Sequence, residues 1–213
     1  TTAGVGGMML TSGSARGAEG EFFDPAELVP LGKSGLMTSR VGFGTGMKGW
    51  MRVSNQTRLG KEGFQTLLRY AYDQGIRLFD SADLYGTHSF LVPALKDLPR
   101  KDYTIVSKIW THKNGIPEAE RPTADVCVER FLKELGTDYI DIVQIHCVMN
   151  AGWPKEVEAY MEALEKLKQK GSIRTHGVSV HSLPALETAA VTDWVDVVHT
   201  RVNPFGVKMD GPA

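Results

Sequence analysis

The 213-residue chain has no long run of basic residues, and its formal net charge is −1. Nucleic acid and anionic membrane surfaces are therefore not expected partners, because both call for a concentrated positive face. Cysteine is scarce. Cys127 and Cys147 lie in an apparent helix and an apparent strand without metal-ligand spacing, so buried thiols are expected and zinc is not. An initiator methionine is also missing, which fits a sequence already cut at its start. The opening twenty residues, TTAGVGGMMLTSGSARGAEG, lack periodicity, and their apolar stretch is far too short to span a bilayer. Residues 1–27 are expected to be a flexible arm or the tail of an export signal. A cytoplasmic location and, if residues 1–18 end a signal peptide, an exported one both stay open.

From residue 28 to 213 the text reads as one domain. LGKSGLMTSR suggests a small hairpin turning at Lys33-Ser34-Gly35, and VGFGTG (41–46) suggests a first buried strand with a glycine-rich exit. Phe64, Leu67, Leu68 and Ala71 share one helical face, stopped near Gly75. IRLFD then reads as a strand ending in Asp80, and THSFLVPALKDL as a poorer helix with Pro93 near its start or at a kink. YTIVSK ends in Lys108, and a clear helix through Val128, Phe131, Leu132 and Leu135 is closed by Gly136. YIDIVQIH ends in His146, followed by a helix entered at Pro154 and left at Gly171. IRTHGVS ends in Ser179, a short helix starts at Pro184, and VDVVHTRVNPF is a sixth strand. Strand and helix alternate about every 30–40 residues, the signature of βα units on a parallel sheet.

Asp80, Lys108, His146 and Ser179 each fall at the carboxyl end of a different apolar run. Four successive strands ending in polar residues favour a site at a barrel mouth over an open sheet. Tyr85, five residues past Asp80, can fold over the same rim. A phenol, with an ordinary pKa of about 10, is a poor acid near neutrality unless a cation stabilises its anion. Lys108 is the expected cation, held in place by Asp80, and His146 can orient a carbonyl oxygen against Tyr85. This set suits protonation of a developing oxyanion. No side chain can supply a hydride, so a nicotinamide cofactor is implied.

FDSADLYG (79–86), VSKIW (106–110) and VQIHCV (143–148) resemble signature segments of the aldo-keto reductases, and VGFGTG and GVSVHS (177–182) match in type and order. The likeness runs from about residue 31 to 203. It implies a (β/α)8 TIM barrel with an N-terminal hairpin, of which about six βα units are readable here. It also implies reduction of a small-molecule aldehyde or ketone with NADPH, NADH being left open. Carried over by position, Tyr85 is the proton donor, Lys108 and Asp80 tune it, and His146 orients the carbonyl. Cofactor contacts are implied at Gly44, Thr45, Asp80 and Ser179. Many family members have asparagine and glutamine where this chain has Val180-His181 and His199. With six strands the sheet keeps two open edges, so the 213-residue chain alone is expected to bind cofactor poorly and to aggregate.

Gly44-Thr45-Gly46-Met47-Lys48-Gly49 spells a dinucleotide-binding pattern, but no helix opens at once, so a coincidence in a flexible loop is expected. Trp50 and Trp110 are placed either to line a substrate pocket or to serve as packing or lid residues; Asp83 and Cys147 neighbour the site without needing a role, and His88, His112 and His176 show no constellation. Three other activities compete. A Schiff-base aldolase would use Lys108 as nucleophile, a glycosidase would need a second carboxylate, and a metal hydrolase would need clustered ligands. A non-catalytic barrel that senses NADP(H) or a partner is the alternative outside the enzymes.

Overall fold

A computed structural model describes residues 23–32 and 34–204. Most of the expected N-terminal arm, Lys33 of the hairpin turn and Phe205 of the last strand lie outside the described residues. The hairpin forms as expected, with β1 (Leu28–Pro30) antiparallel to β2 (Met37–Ser39) and Leu28 opposite Ser39. Its turn is tied by Ser34, whose hydroxyl donates to the Leu31 carbonyl at 2.6 Å.

Six parallel strands follow, and their order in the sheet is their order in the chain: β3 (Gly42–Gly44), β4 (Leu78–Asp80), β5 (Thr104–Trp110), β6 (Ile140–Val148), β7 (Ile173–Val180) and β8 (Val197–His199). Between them run α1 (Gly60–Asp73), α2 (His88–Leu95), α3 (Ala124–Leu135), the short α4 (Trp153–Glu156), α5 (Glu158–Lys170) and α6 (Leu183–Ala190). The sheet curls as half of a barrel. Every strand-to-strand passage is a helical crossover, and right-handed crossovers put all helices on one face.

Burial explains why these stretches fold so. The helical face called from the sequence supplies Phe64, Leu68 and Ala71 to the core, whereas Leu67 stays 40% exposed. Full burial of Phe64 or Leu68 contributes roughly 2 kcal/mol each. Along β5 every residue is buried, as a strand covered on both faces requires. Ile105 and Ile109 meet the helices together with Phe79, Phe131, Val143 and Ile145. Val106 points the other way, into a plug with Leu36 of the hairpin, Ile142 and Val197. The period of two therefore sends Lys108 and Trp110 inward above that plug. The last turns of α3 and α5 close on Gly136 (φ 60°) and Gly171 (φ 82°), as read from the sequence.

Several boundaries differ from the sequence reading. Pro93 lies inside α2, near its end and not at its start. The helix entered at Pro154 is split by Val157, whose φ of −121° is not helical. β5 and β6 run two residues past Lys108 and His146, and β8 is three residues long. No helix among the described residues is long and apolar enough to cross a membrane.

Candidate active site

The inward positions of neighbouring strands are aligned by register. Gly44 pairs with Asp80, Lys108 with Gln144, Trp110 with His146, and Ser179 with His199. Parallel pairing places all of these near one end of the sheet, the carboxyl end. Tyr85 arrives separately, at the end of a single 3-10 turn (Asp83–Tyr85) just beyond β4.

Lys108 is 2% exposed and makes an ion pair with Asp80, while its ammonium also donates to the Ser81 carbonyl at 3.0 Å. The same nitrogen lies 5.1 Å from the centre of the Tyr85 ring. The Tyr85 hydroxyl is 3.4 Å from His146 Nε2, and the two rings meet nearly edge-on, their centres 5.4 Å apart. Trp110 packs on the other side of His146 with ring centres 5.2 Å apart. Asp80, Tyr85, Lys108 and His146 thus meet in one place. Lys108 is committed to two oxygens and has little room to form a covalent adduct, so the aldolase reading loses ground.

The electrostatics differ from expectation at one point. Lys108 does pull the Tyr85 pKa down, but burial pushes it up further, and the net direction is upward. The phenol therefore holds its proton firmly. His146 is pushed well below the ordinary histidine value, first by burial and then by the Lys108 charge. It is a neutral imidazole near neutrality, and its Nδ1 is buried without a hydrogen-bond partner.

The cofactor positions divide. Gly44 faces open space at the rim. Ser179 accepts the Cys147 backbone N–H at 2.8 Å and keeps its own hydroxyl proton to donate. Thr45, by contrast, is wholly buried, and its hydroxyl donates to the Asp80 carbonyl at 2.8 Å beside Thr87. It can act on a cofactor only by shaping the backbone around Asp80. His199 Nδ1 stands 3.7 Å from Asp80. These groups suit the nicotinamide end of a dinucleotide. Among the described residues no group of three or more histidine, cysteine or acidic side chains could hold a metal.

A cavity of about 450 Å³ is lined by Tyr85 and His146 together with Gly46, Gly49, Trp50, Leu84, Trp110, Cys147, Lys48, His181 and Arg201. Both tryptophans singled out in the sequence are present, with ring centres 5.6 Å apart and nearly perpendicular. A larger cavity, about 800 Å³, lies outside between α1 and α2 and touches no strand end.

Sequence reasoning missed what holds Tyr85. A Cβ at Gly46 or Gly49 would run into the Tyr85 ring, so this part of the glycine-rich loop is a close-fitting cover; no helix opens before Thr57, as expected for a chance match to the dinucleotide pattern. Asp83, read as having no role, is 4% exposed and accepts from Arg130 at 2.6 and 3.0 Å and from Arg52 at 3.1 Å. Arg52 is ion-paired with Glu120 as well. His88 also has a constellation: it bridges Glu134 at 2.7 Å and Ser107 at 2.8 Å. His176 stacks on Trp194 and meets Glu165 at 2.9 Å. The glycine spacing was the one visible signal for any of these.

A half-barrel with an ionisable tetrad at its carboxyl rim defines the class, and the comparisons give the family. The Aldo/keto reductase family profile matches residues 40–207, most of the chain, and the chain belongs to that family. Aldo-keto reductase YhdN of Bacillus subtilis is 28% identical over 197 residues, covering 86% of this chain and 56% of the relative. L-galactose dehydrogenase of Arabidopsis thaliana is 33% identical over 159 residues, covering 72% and 48%. In fold the chain is similar to an aldo-keto reductase of Bacillus halodurans in its holo form, with TM-score 0.66, 24% identity, and coverage of 83% and 57%. The chain spans about half the length of the curated relatives it matches.

Proposed function

We propose that the protein reduces an aldehyde or ketone to an alcohol with NADPH, Tyr85 acting as general acid. The observation that carries this reading is the meeting of the Tyr85 hydroxyl with His146 Nε2 at 3.4 Å, above an ammonium 5.1 Å from the phenol ring. A bound nicotinamide supplies the hydride, which no side chain can provide. The remaining work falls to this chain. His146 is neutral and offers a ring N–H to the carbonyl oxygen, orienting it at the phenol. As negative charge develops on that oxygen, Tyr85 donates its proton. The phenolate left behind is stabilised by Lys108, whose position Asp80 and the Ser81 carbonyl fix. Trp50 and Trp110 shield this exchange from bulk water and give the substrate an apolar wall.

The raised pKa of the resting phenol supports this order of events, since the acid is loaded at neutral pH and the lysine acts mainly once charge appears. Gly44, Asp80 and Ser179 are the residues we assign to the nicotinamide end, with Thr45 behind them. The names of two relatives, L-galactose dehydrogenase and methylglyoxal reductase, both describe interconversion of carbonyl and alcohol. Choice of NADPH over NADH rests on the family alone.

Tyr85→Phe removes only the hydroxyl. In the full native chain it should lower kcat for aldehyde reduction by about 10²–10⁴-fold while the substituted protein still binds NADPH. Equal turnover by the substituted and original proteins would sink the mechanism.

A further inference from the structure

We propose that the cavity over Tyr85 takes a carbonyl substrate bearing an anionic group, held by Lys48 and Arg201 while the carbonyl lies against Tyr85 and His146. The proposal rests on the carbonyl-reduction reading above and narrows it to a substrate class.

The cations around this site fall into two sets. Lys108 is neutralised by Asp80, and Arg52 and Arg130 are neutralised by Asp83, Glu120 and Glu134. Lys48 and Arg201 make no ion pair with any described residue. They reach the cavity from opposite flanks, Lys48 from the loop after β3 and Arg201 just past β8. Its lining among the described residues includes no aspartate or glutamate. The wall therefore carries two charges of one sign that no described residue pairs, with His181, Trp50 and Trp110 lining the same cavity.

Such a wall discriminates in a definite direction. Both cations sit on exposed stretches, so they remain hydrated until a ligand arrives and no burial cost has been met in advance. A carboxylate or phosphate gains charge-assisted hydrogen bonds there, whereas a cationic substrate is repelled. Arg201 also lies close enough to the Tyr85 phenol to favour its anion, so the same charge that binds the substrate assists the proton donor. Trp50 and Trp110 in the same wall suit a ligand that also presents a flat or aliphatic part.

The anion could belong to the substrate or to the cofactor's diphosphate. The substrate is favoured, because Lys48 and Arg201 line the same cavity as Tyr85, His146 and the two tryptophans, where the carbonyl must lie.

The test is a matched pair, 4-carboxybenzaldehyde and its methyl ester, assayed with NADPH on the full native chain and on Lys48→Met and Arg201→Met. The original protein should favour the acid in kcat/KM by about tenfold or more, as expected when a charged hydrogen bond is gained. Each substitution should reduce the acid-to-ester ratio several-fold, and added salt should compress it. Equal use of acid and ester, or an unchanged ratio in both variants, overturns the proposal while leaving carbonyl reduction intact. So does a rise in KM for NADPH without a change in the ratio, which would assign the cations to the cofactor. Failure to reduce either aldehyde strikes the reduction reading instead. In that case quenching of the Trp50 and Trp110 fluorescence by terephthalate, lost in Arg201→Met, still supports the anion site, and no saturable quenching by terephthalate rejects it.

Discussion

Asp80 and Asp83 stand three residues apart, and each holds a cation, yet they are built as opposites. At Asp80 the cation is the hidden partner: the Lys108 side chain is 3% exposed and its carboxylate partner 25%. At Asp83 the carboxylate is hidden, 4% exposed, while the Arg52 and Arg130 side chains that clamp it are 34% and 30% exposed. A buried ammonium under a tyrosine ring is a held charge that the proposed reaction can use as the phenol ionises. A buried carboxylate with two guanidiniums folded over it has its acceptor sites filled and can only fasten. The first pair faces the cavity. The second pins the 3-10 turn from which Tyr85 projects, and ties it to the loop after β3 and to α3. Proximity in sequence therefore says little about function; which partner is buried says more.

That contrast can be broken by substituting each aspartate alone. Asp80→Asn should give the largest effect on turnover, about a hundredfold or more in kcat, because Lys108 loses the group that holds it under the phenol. Its stability should change much less, since the carboxylate removed is a quarter exposed. A chain that keeps full turnover would show that the Asp80–Lys108 pair is merely structural.

Asp83→Asn should do the reverse. Breaking a buried ion pair costs about 3–5 kcal/mol because the surviving charge is left without its partner. Here the survivors are arginines about a third exposed that keep Glu120 and Glu134 as partners, so a smaller loss, about 1–2 kcal/mol, is expected in urea unfolding of the full native chain. KM should rise as the Tyr85 turn loosens, with kcat falling less than in Asp80→Asn. A loss below about 0.5 kcal/mol would place Asp83 among ordinary surface pairs.

The two aspartates also show what was legible in the sequence. Asp80, Lys108, His146 and Ser179 could be read because strand periodicity puts polar residues at the ends of apolar runs, and that pattern is local. The parallel sheet and hairpin were legible for the same reason. Asp83 was not, because its partners Arg52 and Arg130 lie 31 and 47 residues away, and no period links them. Gly46 and Gly49 were visible as a spacing but not as a cover, since the Tyr85 ring they admit belongs to a different loop. The direction of the Tyr85 pKa was misjudged because charge can be counted along a sequence and burial cannot. Strand ends were placed two residues early at Lys108 and His146, where buried polar side chains continue the strand instead of ending it.

The smallest predicted effect separates the two regions by pH. His146 and His199 surround the Asp80–Lys108 pair, and both are held below the ordinary histidine value, by burial first and by the Lys108 charge second. Each therefore binds a proton more readily in the unfolded chain than in the folded one, and stability must fall wherever that difference is realised. The contribution is complete above about pH 6.5 and is lost as pH drops from there toward the lowered folded values. For His146 the loss at pH 5.5 relative to pH 8 amounts to about 1 kcal/mol. His199, a third exposed, should contribute less. Asp83→Asn removes neither histidine, so it should shift the whole stability curve without changing its slope. His146→Gln should flatten the slope between pH 8 and 5.5 in urea unfolding monitored on the full native chain. If the slope is unaltered by that substitution, the buried imidazole is not what makes the mouth of the barrel sensitive to acid.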